Sequence, residues 1–251
     1  MEINLNEELL IAQKICIDVG KQLKNSYNRP NILSNNDRDI KLKQDIDTNQ
    51  KIINALLKHS SVKHILSEEN SNKDIDQKGF YWIVDPLDGT KEFIEGVPQF
   101  VVSVALVEDG LPIIGVLHNP VTKETFYASK GNGTYFDDVI HNCSVKESTT
   151  DMVILNSRSE TRKGLWEPHK QHFKKLKPIG SVAYKMGLTA IGKADIFATL
   201  RPKNEWDICA GTCLINEAGG KVINLNGEKI TFNNRKTLIE PGLIAGYNLS
   251  V

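Results

Sequence analysis

Two carboxylates three residues apart follow an apolar run in the first half of the chain. Residues 80–84 predict a buried strand, and Asp85 and Asp88 come directly after it. Pro86 has a fixed φ and no N–H, so the chain must leave the strand there, and Gly89 lets the backbone pass close to a ligand. Clustered carboxylates repel one another unless a divalent cation lies between them, and oxygen-only ligands favour magnesium, manganese or calcium over zinc. A solvated acidic turn is the alternative interpretation.

Further acids stand at the ends of other predicted elements. Glu68 and Glu69 follow a short predicted strand, residues 64–67, and Asp207 precedes an apolar helical pattern over residues 208–218. A carboxylate at a helix N-terminus is also what capping alone predicts, so a cap and a metal ligand both stay open for Asp207. Residues 90–94 can begin a helix whose free N–H groups suit a phosphate.

Three segments together resemble the signatures of the inositol monophosphatase superfamily. They are LSEE at 66–69, VDPLDGTKEF at 84–93 and WDICAG at 206–211. The resemblance covers nearly the whole chain in the same order. The continuation Lys91-Glu92-Phe93 is most similar to the bacterial 3'(2'),5'-bisphosphate nucleotidase branch, which acts on adenosine 3',5'-bisphosphate.

The resemblance implies a site with two or three Mg²⁺ ions. Glu68, Asp85 and the backbone carbonyl of Leu87 would hold the first ion, while Asp88 and Asp207 would join Asp85 around the second. Glu69 is expected to support these ligands or to bind a further weak ion. Metals of this kind can activate a water and neutralise phosphate charge together.

The resemblance also implies two catalytic residues. Thr90 matches a threonine that orients the attacking water, and Asp45 matches its aspartate partner. Gln44 stands where the family usually has a small residue, so Asp47 remains an alternative to Asp45. A helix cap is a further interpretation of Asp45, and it is compatible with catalysis.

The substrate is expected to contact both the metal ligands and the segments beyond residue 150. Gly89 and Thr90 would offer backbone N–H groups to the scissile phosphate. Val182 stands where the nucleotidase branch commonly has a second serine. For each cation an exposed surface role is the alternative. The remaining residues that we predict to bind substrate are Glu68, Leu87, Asp88, Asp207, Ser157, Arg158, Gly180 and Ser181, with Lys185 and Arg201 as the cations for a second phosphate.

The activity that follows is Mg²⁺-dependent hydrolysis of the 3'-phosphate of adenosine 3',5'-bisphosphate to AMP and phosphate by metal-activated water. An inositol or other sugar monophosphatase is the alternative, and a non-catalytic metal- or nucleotide-binding module is a third. The resemblance also implies inhibition by lithium and a place in sulfur metabolism. By analogy the protein is expected to be a monomer or a weak homodimer.

Composition excludes several classes of protein. Lys+Arg and Asp+Glu each number 31, so no global field attracts nucleic acid. No stretch approaches the roughly 20 apolar residues of a membrane span. The N-terminus lacks the pattern of a secretion signal, and the four cysteines are expected to be reduced. We therefore expect a cytoplasmic protein that binds a phosphorylated nucleotide or sugar, with peripheral attachment to the inner membrane left open.

The elements that must position these residues read as a mixed α/β (α+β) fold, and the resemblance implies a layered αβαβα sandwich. An N-terminal metal-binding α+β half, 1–147, would be followed by a C-terminal α/β half, 148–251, that completes the pocket. Helices are predicted at 6–26, 160–173, 181–191 and 207–217, and another begins near Asp45 with Ile46, Ile52, Ile53, Leu56 and Leu57 as its buried stripe. Residues 28–39 read as a break between the first two helices. Further strands are predicted at 100–107, 113–118, 125–129, 134–136, 152–156 and 195–199.

Overall fold

The computed structural model describes residues 3–36, 39–69, 78–247 and 249. The helices are α1 Leu5–Ser26, α2 Lys43–His59, α3 Thr90–Ile94, α4 Arg158–Arg162, α5 Val182–Ala190 and α6 Glu205–Glu217, with 3₁₀ turns at Thr149–Asp151 and Glu167–His172. The strands are β1 Ile32–Asn36, β2 Asp39–Leu42, β3 Ile65–Ser67, β4 Phe80–Asp88, β5 Val101–Glu108, β6 Leu111–Asn119, β7 Glu124–Ser129, β8 Thr134–Phe136, β9 Val139–His141, β10 Val153–Ser157, β11 Lys175–Ile179, β12 Ile196–Thr199, β13 Lys203–Asn204, β14 Lys221–Asn224, β15 Leu238–Ile239 and β16 Leu243–Gly246.

Four of the strands that the structure describes form the two-stranded sheets β1-β2 and β13-β15, and the other twelve form two large sheets. The first has the order β3-β4-β5-β6-β7-β8-β9, in which β3 and β4 are parallel and every later neighbour is antiparallel. The second has the order β11-β10-β12-β16-β14, with β10 parallel to β11 and β12. Strand β16 runs antiparallel to both of its neighbours. The boundary between predicted halves falls between these sheets, and the division itself stays a prediction.

The layers follow from strand alternation. Along β4, Trp82 and Val84 face α1 and α2, whereas Ile83 faces the opposite side, because successive side chains of a strand point to opposite faces. Helices α5 and α6 fill the space between the two sheets, and the outer face of the second sheet packs against the segment around Trp166. Gly115 marks how closely α6 approaches β6, since a Cβ there would lie 2.5 Å from the Ala210 carbonyl oxygen. The predicted αβαβα layering is confirmed.

Most predicted elements are present within a few residues of their expected ends. The opening helix, the meander of β5, β6, β7 and β8, and α5, β12 and α6 all formed where apolar periodicity placed them. All four cysteines are buried and free. No helix in the described ranges is long and apolar enough to cross a membrane.

Three expectations were wrong. The predicted helix at 160–173 is only the short α4 and a 3₁₀ turn, because Gly164 has a positive φ of 72° and Pro168 cannot donate a helix hydrogen bond. The chain does not leave the strand at Pro86, because β4 continues to Asp88 and an irregular register between Asp85 and Asp88 accommodates the missing N–H. The predicted break at 28–39 does separate α1 from α2, and it contains β1, which pairs antiparallel with β2; residues 37–38 lie outside the described part of the chain.

The buried stripe of α2 is the third. Ile46 and Leu57 are exposed, Ile53 is half-buried, and the face toward the core carries Asp45, Thr48, Asn49, Ile52 and Leu56. Polar residues therefore occupy the buried face of the first two turns, and apolar periodicity alone could not indicate this.

Candidate active site

Asp85 and Asp88 lie in the last four residues of strand β4. Asp85 pairs with Ser103 and Asp88 with Val101, so three steps on β4 match two on β5. Residues three apart on a regular strand face opposite sides, and one extra residue brings them to the same side. Burial raises the pKa of Asp85 well above its usual range, and the negative charges of Glu68, Asp88 and Asp207 add to that rise. The bulge thus places two buried carboxylates next to each other.

The turn after Asp88 requires glycine. Gly89 has φ +107°, and a Cβ there would lie 2.8 Å from the Gln99 carbonyl oxygen and 2.9 Å from the Phe100 Cβ. The Leu87 N–H donates to Asp85 Oδ1 at 2.9 Å, and the Thr90 hydroxyl donates to the Leu87 carbonyl at 3.2 Å. These bonds fix the segment that carries both carboxylates.

Asp88 is held from the opposite side by the start of α5. The Ser181 hydroxyl and the Ala183 N–H each donate to Asp88 Oδ2 at 2.5 Å. The Ser181 hydroxyl also accepts from the Tyr184 N–H at 3.0 Å and so caps α5. Burial raises the pKa of Asp88, and the Ser181 hydrogen bond is the largest effect that opposes the rise. Both contacts use one oxygen and orient the carboxylate.

Asp207 and Glu68 complete the acidic group. Asp207 Oδ2 accepts from the Asn204 N–H at 2.9 Å, within a capping box at the start of α6, so the capping interpretation is present. Burial and the negative charge of Asp88 raise the pKa of Asp207 to about 7. Glu68 opens to solvent, yet partial desolvation in the cleft and the charges of Asp207 and Asp45 raise its pKa as well.

The structure places Asp45, rather than Asp47, on the site side of α2. Asp45 is buried, and its Oδ1 has no hydrogen-bond partner in the described ranges. Burial and the charge of Glu69 raise its pKa to about 7. Asp47 is exposed and pairs with Lys43 at 3.5 Å. Gln44 holds the preceding loop, because its amide donates to the Arg29 carbonyl at 3.2 Å.

Thr90 and Asp45 are not joined by a direct hydrogen bond in the part of the chain that the structure describes, since the Thr90 hydroxyl donates to Leu87. Any cooperation between the two residues must therefore pass through a bound molecule. Their assignment as the catalytic pair stays a prediction.

The donor set fits a hard divalent cation. The negative charges of neighbouring carboxylates add to the raised pKa values of Asp45, Glu68, Asp85 and Asp207, and every donor is an oxygen. In the described ranges no three acidic, histidine or cysteine side chains already surround one point as a finished metal site. Buried like charges nevertheless favour a cation here, and a divalent ion with its waters would also satisfy the orphaned Asp45 Oδ1.

A cavity of about 200 Å³ opens beside Asp88. Its lining includes Gly89, Thr90, Ser157, Arg158, Gly180, Ser181 and Lys185, all of which the sequence predicted, together with Lys91, Glu92, Arg162 and Lys203. A larger cavity of about 500 Å³ lies between α1 and α2 and contains none of the predicted site residues. The smaller cavity is therefore the candidate substrate pocket.

Two predicted cations need correction. The Lys185 ammonium is buried and donates to the Ile179 and Ser181 carbonyls at 3.0 and 2.5 Å, so it supports the turn before α5 and does not point freely at a ligand. Arg201 is exposed and is not part of the cavity lining. Helical periodicity and family position could not reveal that the Lys185 side chain folds back to its own turn.

Sequence reasoning missed the partners of Arg158. This side chain bonds Glu92 Oε1 and Glu95 Oε2, each at 2.9 Å. Gly180 lets Glu92 approach, because a Cβ at position 180 would lie 2.2 Å from the Glu92 Cγ. The Gly180 N–H donates to Gln99 Oε1 at 2.8 Å. The Lys-Glu-Phe continuation after Thr90 was the available signal, since it supplies Glu92 to this network.

Comparison with known proteins gives consistent findings. A sequence model of the inositol monophosphatase family matches residues 4–249. A fructose-1,6-bisphosphatase/inositol-1-monophosphatase of Thermotoga maritima is 31% identical over 82% of this chain and 80% of its own length. The 3'(2'),5'-bisphosphate nucleotidase CysQ of Haemophilus influenzae is 28% identical over 96% of this chain and 91% of its own. Among solved structures, an IMPase of Thermotoga maritima superimposes with a TM-score of 0.83 at 28% identity, covering 95% of this chain and 91% of that one.

The raised pKa values predict how Mg²⁺ stabilises the protein. Carboxyls in the unfolded chain titrate near about 4, whereas Asp45 and Asp207 titrate near 7 when folded without metal. The metal-free protein therefore takes up protons on folding, and this contribution to stability is lost as pH rises from about 4 to about 7. Because Mg²⁺ competes with those protons, we expect it to raise the melting temperature more at pH 8 than at pH 6.

Thermal melts with and without Mg²⁺ at the two pH values measure this effect, with sodium chloride at matched ionic strength as the control. At a Mg²⁺ concentration 100 times its Kd, binding adds about 2.7 kcal/mol to the free energy of unfolding. An equal shift at both pH values would show that the carboxylates do not bind the metal.

Proposed function

The chain belongs to the inositol monophosphatase family, and from this premise we propose that it hydrolyses the 3'-phosphate of adenosine 3',5'-bisphosphate to give AMP and phosphate. As a member of this superfamily the protein is a phosphatase, and such enzymes generally depend on Mg²⁺. The finer assignment that we propose is a 3'(2'),5'-bisphosphate nucleotidase.

One observation carries the proposal: the acidic group opens directly onto a pocket that contains cations. Asp88 lines the cavity, and its charge also acts on Asp85 and Asp207. A phosphate ester in this cavity would lie between the carboxylates and the backbone N–H groups of Gly89 and Thr90. That position suits hydrolysis of a phosphomonoester, in which charge on the phosphate must be neutralised.

The residues that would hold Mg²⁺ are Glu68, Asp85, the carbonyl of Leu87, Asp88 and Asp207. When bound, Mg²⁺ supplies charge neutralisation at the phosphate and acidifies a water molecule. The protein keeps these ligands oriented through bonds on their other atoms, as with Ser181 and Ala183 on Asp88 Oδ2. Such support is a common requirement of metal ligands.

The remaining steps fall to Thr90 and Asp45. The Thr90 hydroxyl donates to the Leu87 carbonyl, so its lone pairs can accept a hydrogen bond from the attacking water. Asp45 has an unpartnered Oδ1 and a pKa raised to about 7, which suits a group that takes a proton near neutral pH. Asp45 takes a proton from the water as its oxygen bonds to phosphorus, and the bond from phosphorus to the 3'-oxygen breaks. The proton taken by Asp45 is then passed through solvent to the 3'-oxygen, so the products are AMP and hydrogen phosphate.

The preference for a nucleotide is supported by the Haemophilus influenzae relative and by the Lys-Glu-Phe continuation, whose Glu92 forms a wall of the pocket with Arg158. A sugar monophosphatase is the second candidate, and the Thermotoga maritima relative, named for fructose-1,6-bisphosphate and inositol 1-phosphate, favours it. Val182, which stands where the nucleotidase branch commonly has a second serine, also lines the pocket. The pocket therefore has one hydroxyl fewer for binding a nucleotide, which also favours the second candidate.

Phosphate release distinguishes these candidates. Adenosine 3',5'-bisphosphate, inositol 1-phosphate and fructose 1,6-bisphosphate are compared at equal concentration with Mg²⁺, and with lithium added in parallel. We expect the highest kcat/KM for the nucleotide and inhibition by lithium. A higher kcat/KM for either sugar phosphate would overturn the nucleotide proposal while keeping the phosphatase, and phosphate binding without turnover on any substrate would indicate a binding module.

Replacement of Asp88 tests the metal ligands. Asp88→Asn keeps the size of the side chain but removes the charge, and an amide is a poorer ligand for a hard cation. We expect kcat to fall roughly 100-fold or more, in line with the several kcal/mol that a catalytic metal supplies, while the melting temperature without metal stays the same or rises. Steady-state kinetics over a Mg²⁺ series and thermal melts measure both effects.

Asp47→Asn is the matched control, because the same chemical change is made on the exposed face of α2. It should leave kcat within about twofold, as expected for a surface substitution. If Asp88→Asn retains full activity at high Mg²⁺, or if Asp47→Asn is the variant that loses it, the site has been assigned to the wrong carboxylates.

A further inference from the structure

Lys203 has a backbone fixed beside the acidic group and a side chain in the pocket. Strand β13 pairs with β15 through Lys203–Ile239 and Asn204–Leu238, and Asn204 then caps α6 at Asp207. The Lys203 side chain lines the same cavity as Asp88, Gly89 and Thr90. Its position is thus set by the ladder and the cap together, close to where a phosphate would lie.

The other cations that line the pocket either have partners or are exposed to solvent. Arg158 bonds Glu92 and Glu95, and Arg162 lies 3.7 Å from Glu95. Lys185 bonds two carbonyls. Lys91 is exposed.

Lys203 differs from these cations. It is partly buried, and its ammonium makes no hydrogen bond or ion pair with any residue that the structure describes. A partly buried ammonium without such a partner is costly, and a phosphate oxygen is a suitable partner for it.

The charges around the Lys203 ammonium differ between the metal-free and the metal-bound protein. Lys203 and Asp88 line the same cavity, and the positive charge of Lys203 acts on both Asp88 and Asp207. Without metal, Lys203 therefore acts as a distant counter-charge to these carboxylates. Once a divalent cation neutralises these carboxylates, the Lys203 ammonium has no compensating charge nearby and repels the metal. An anion in the pocket is then stabilised by both the ammonium and the metal.

We propose that Lys203 helps to position the scissile phosphate group of the substrate beside Gly89 and Thr90, whereas sequence analysis predicted Lys185 and Arg201 as cations for a second phosphate. The ligand class is a phosphate monoester dianion, or inorganic phosphate as the product. The inference rests on the proposed phosphatase function but not on the choice between a nucleotide and a sugar.

The test measures phosphate and metal separately in the Lys203→Met and Lys203→Arg variants. Isothermal titration gives the Kd of Mg²⁺ alone and the Kd of inorganic phosphate at saturating Mg²⁺, and steady-state kinetics give kcat and KM on whichever ester the wild type hydrolyses. Lys221→Met, an exposed lysine on β14, is the matched control. We expect it to leave all four quantities unchanged.

For Lys203→Met we expect phosphate affinity to fall about tenfold or more, as for a lost charge-assisted hydrogen bond, while Mg²⁺ affinity is unchanged or stronger because a repelling charge is gone. KM should rise more than kcat falls, and Lys203→Arg should recover most of the phosphate affinity. These opposite movements would not arise if Lys203 only supported the fold around Asp207, since loss of support weakens Mg²⁺ binding as well.

Three results would overturn the inference: an unchanged Kd for phosphate in Lys203→Met, a parallel loss of Mg²⁺ and phosphate affinity, or no phosphate binding by the wild type at millimolar concentration. Inorganic phosphate is a product of every phosphomonoester hydrolysis. The test of Lys203 therefore does not depend on which ester is the substrate. If the wild type fails to hydrolyse the nucleotide but Lys203→Met loses phosphate binding, the inference on Lys203 stands and only the substrate proposal is wrong.

Discussion

Repulsion among carboxylates that are fixed close together is the constraint on which this site depends. Asp85, Asp88 and Asp207 come from two elements, the end of β4 and the start of α6. Burial raises the pKa of all three, and neighbouring negative charges add to the rise for Asp85 and Asp207. A protein gains nothing in stability from such an arrangement unless protons or cations compensate it. The fold holds the carboxylates in place through hydrogen bonds to their outer oxygens and leaves the compensation to a ligand.

The layered architecture explains how distant segments meet at this point. The first sheet brings Glu68, Asp85 and Asp88 to one edge, because β3 and β4 are parallel neighbours that end together. Helices α5 and α6, packed between the sheets, deliver Ser181 and Asp207 from the far side. The proposed metal ligands and the candidate pocket therefore share Asp88, which lies on β4 and accepts hydrogen bonds from the start of α5. A movement of α5 would therefore displace this carboxylate.

The sequence predicted the acidic group well for a physical reason. Strand-end carboxylates, a proline and a glycine act over a few residues, and local geometry decides their placement: Gly89 has the positive φ and the tight contact that its position requires. The apolar strands of the meander were likewise indicated by their own residues. By contrast, the exposed Ile46 and the buried Asp45 reverse the apolar pattern of α2, because the buried face of its first turns carries polar side chains that only the tertiary structure reveals.

The pocket cations were beyond such reasoning. Whether a lysine reaches a ligand or its own backbone depends on rotamers and tertiary neighbours, as the contrast between Lys185 and Lys203 illustrates. The pairing of Arg158 with Glu92 spans 66 residues and has no local signal beyond the Lys-Glu-Phe continuation. The edge strand β11 contains charged residues and Pro178 and lacks the apolar pattern of a buried strand. It is a strand because it pairs with β10, which its own residues do not indicate.

Anomalous diffraction from a crystal soaked with Mn²⁺ would show whether these carboxylates bind a divalent cation, since Mn²⁺ is a hard cation that oxygen sites for Mg²⁺ accept and its position is observed rather than inferred. We expect at least one anomalous peak within ligand distance of Asp85 and Asp88, with Asp207 or Glu68 completing its coordination. A crystal that binds Mn²⁺ only elsewhere, or leaves these carboxylates without a peak at saturating Mn²⁺, would contradict this expectation.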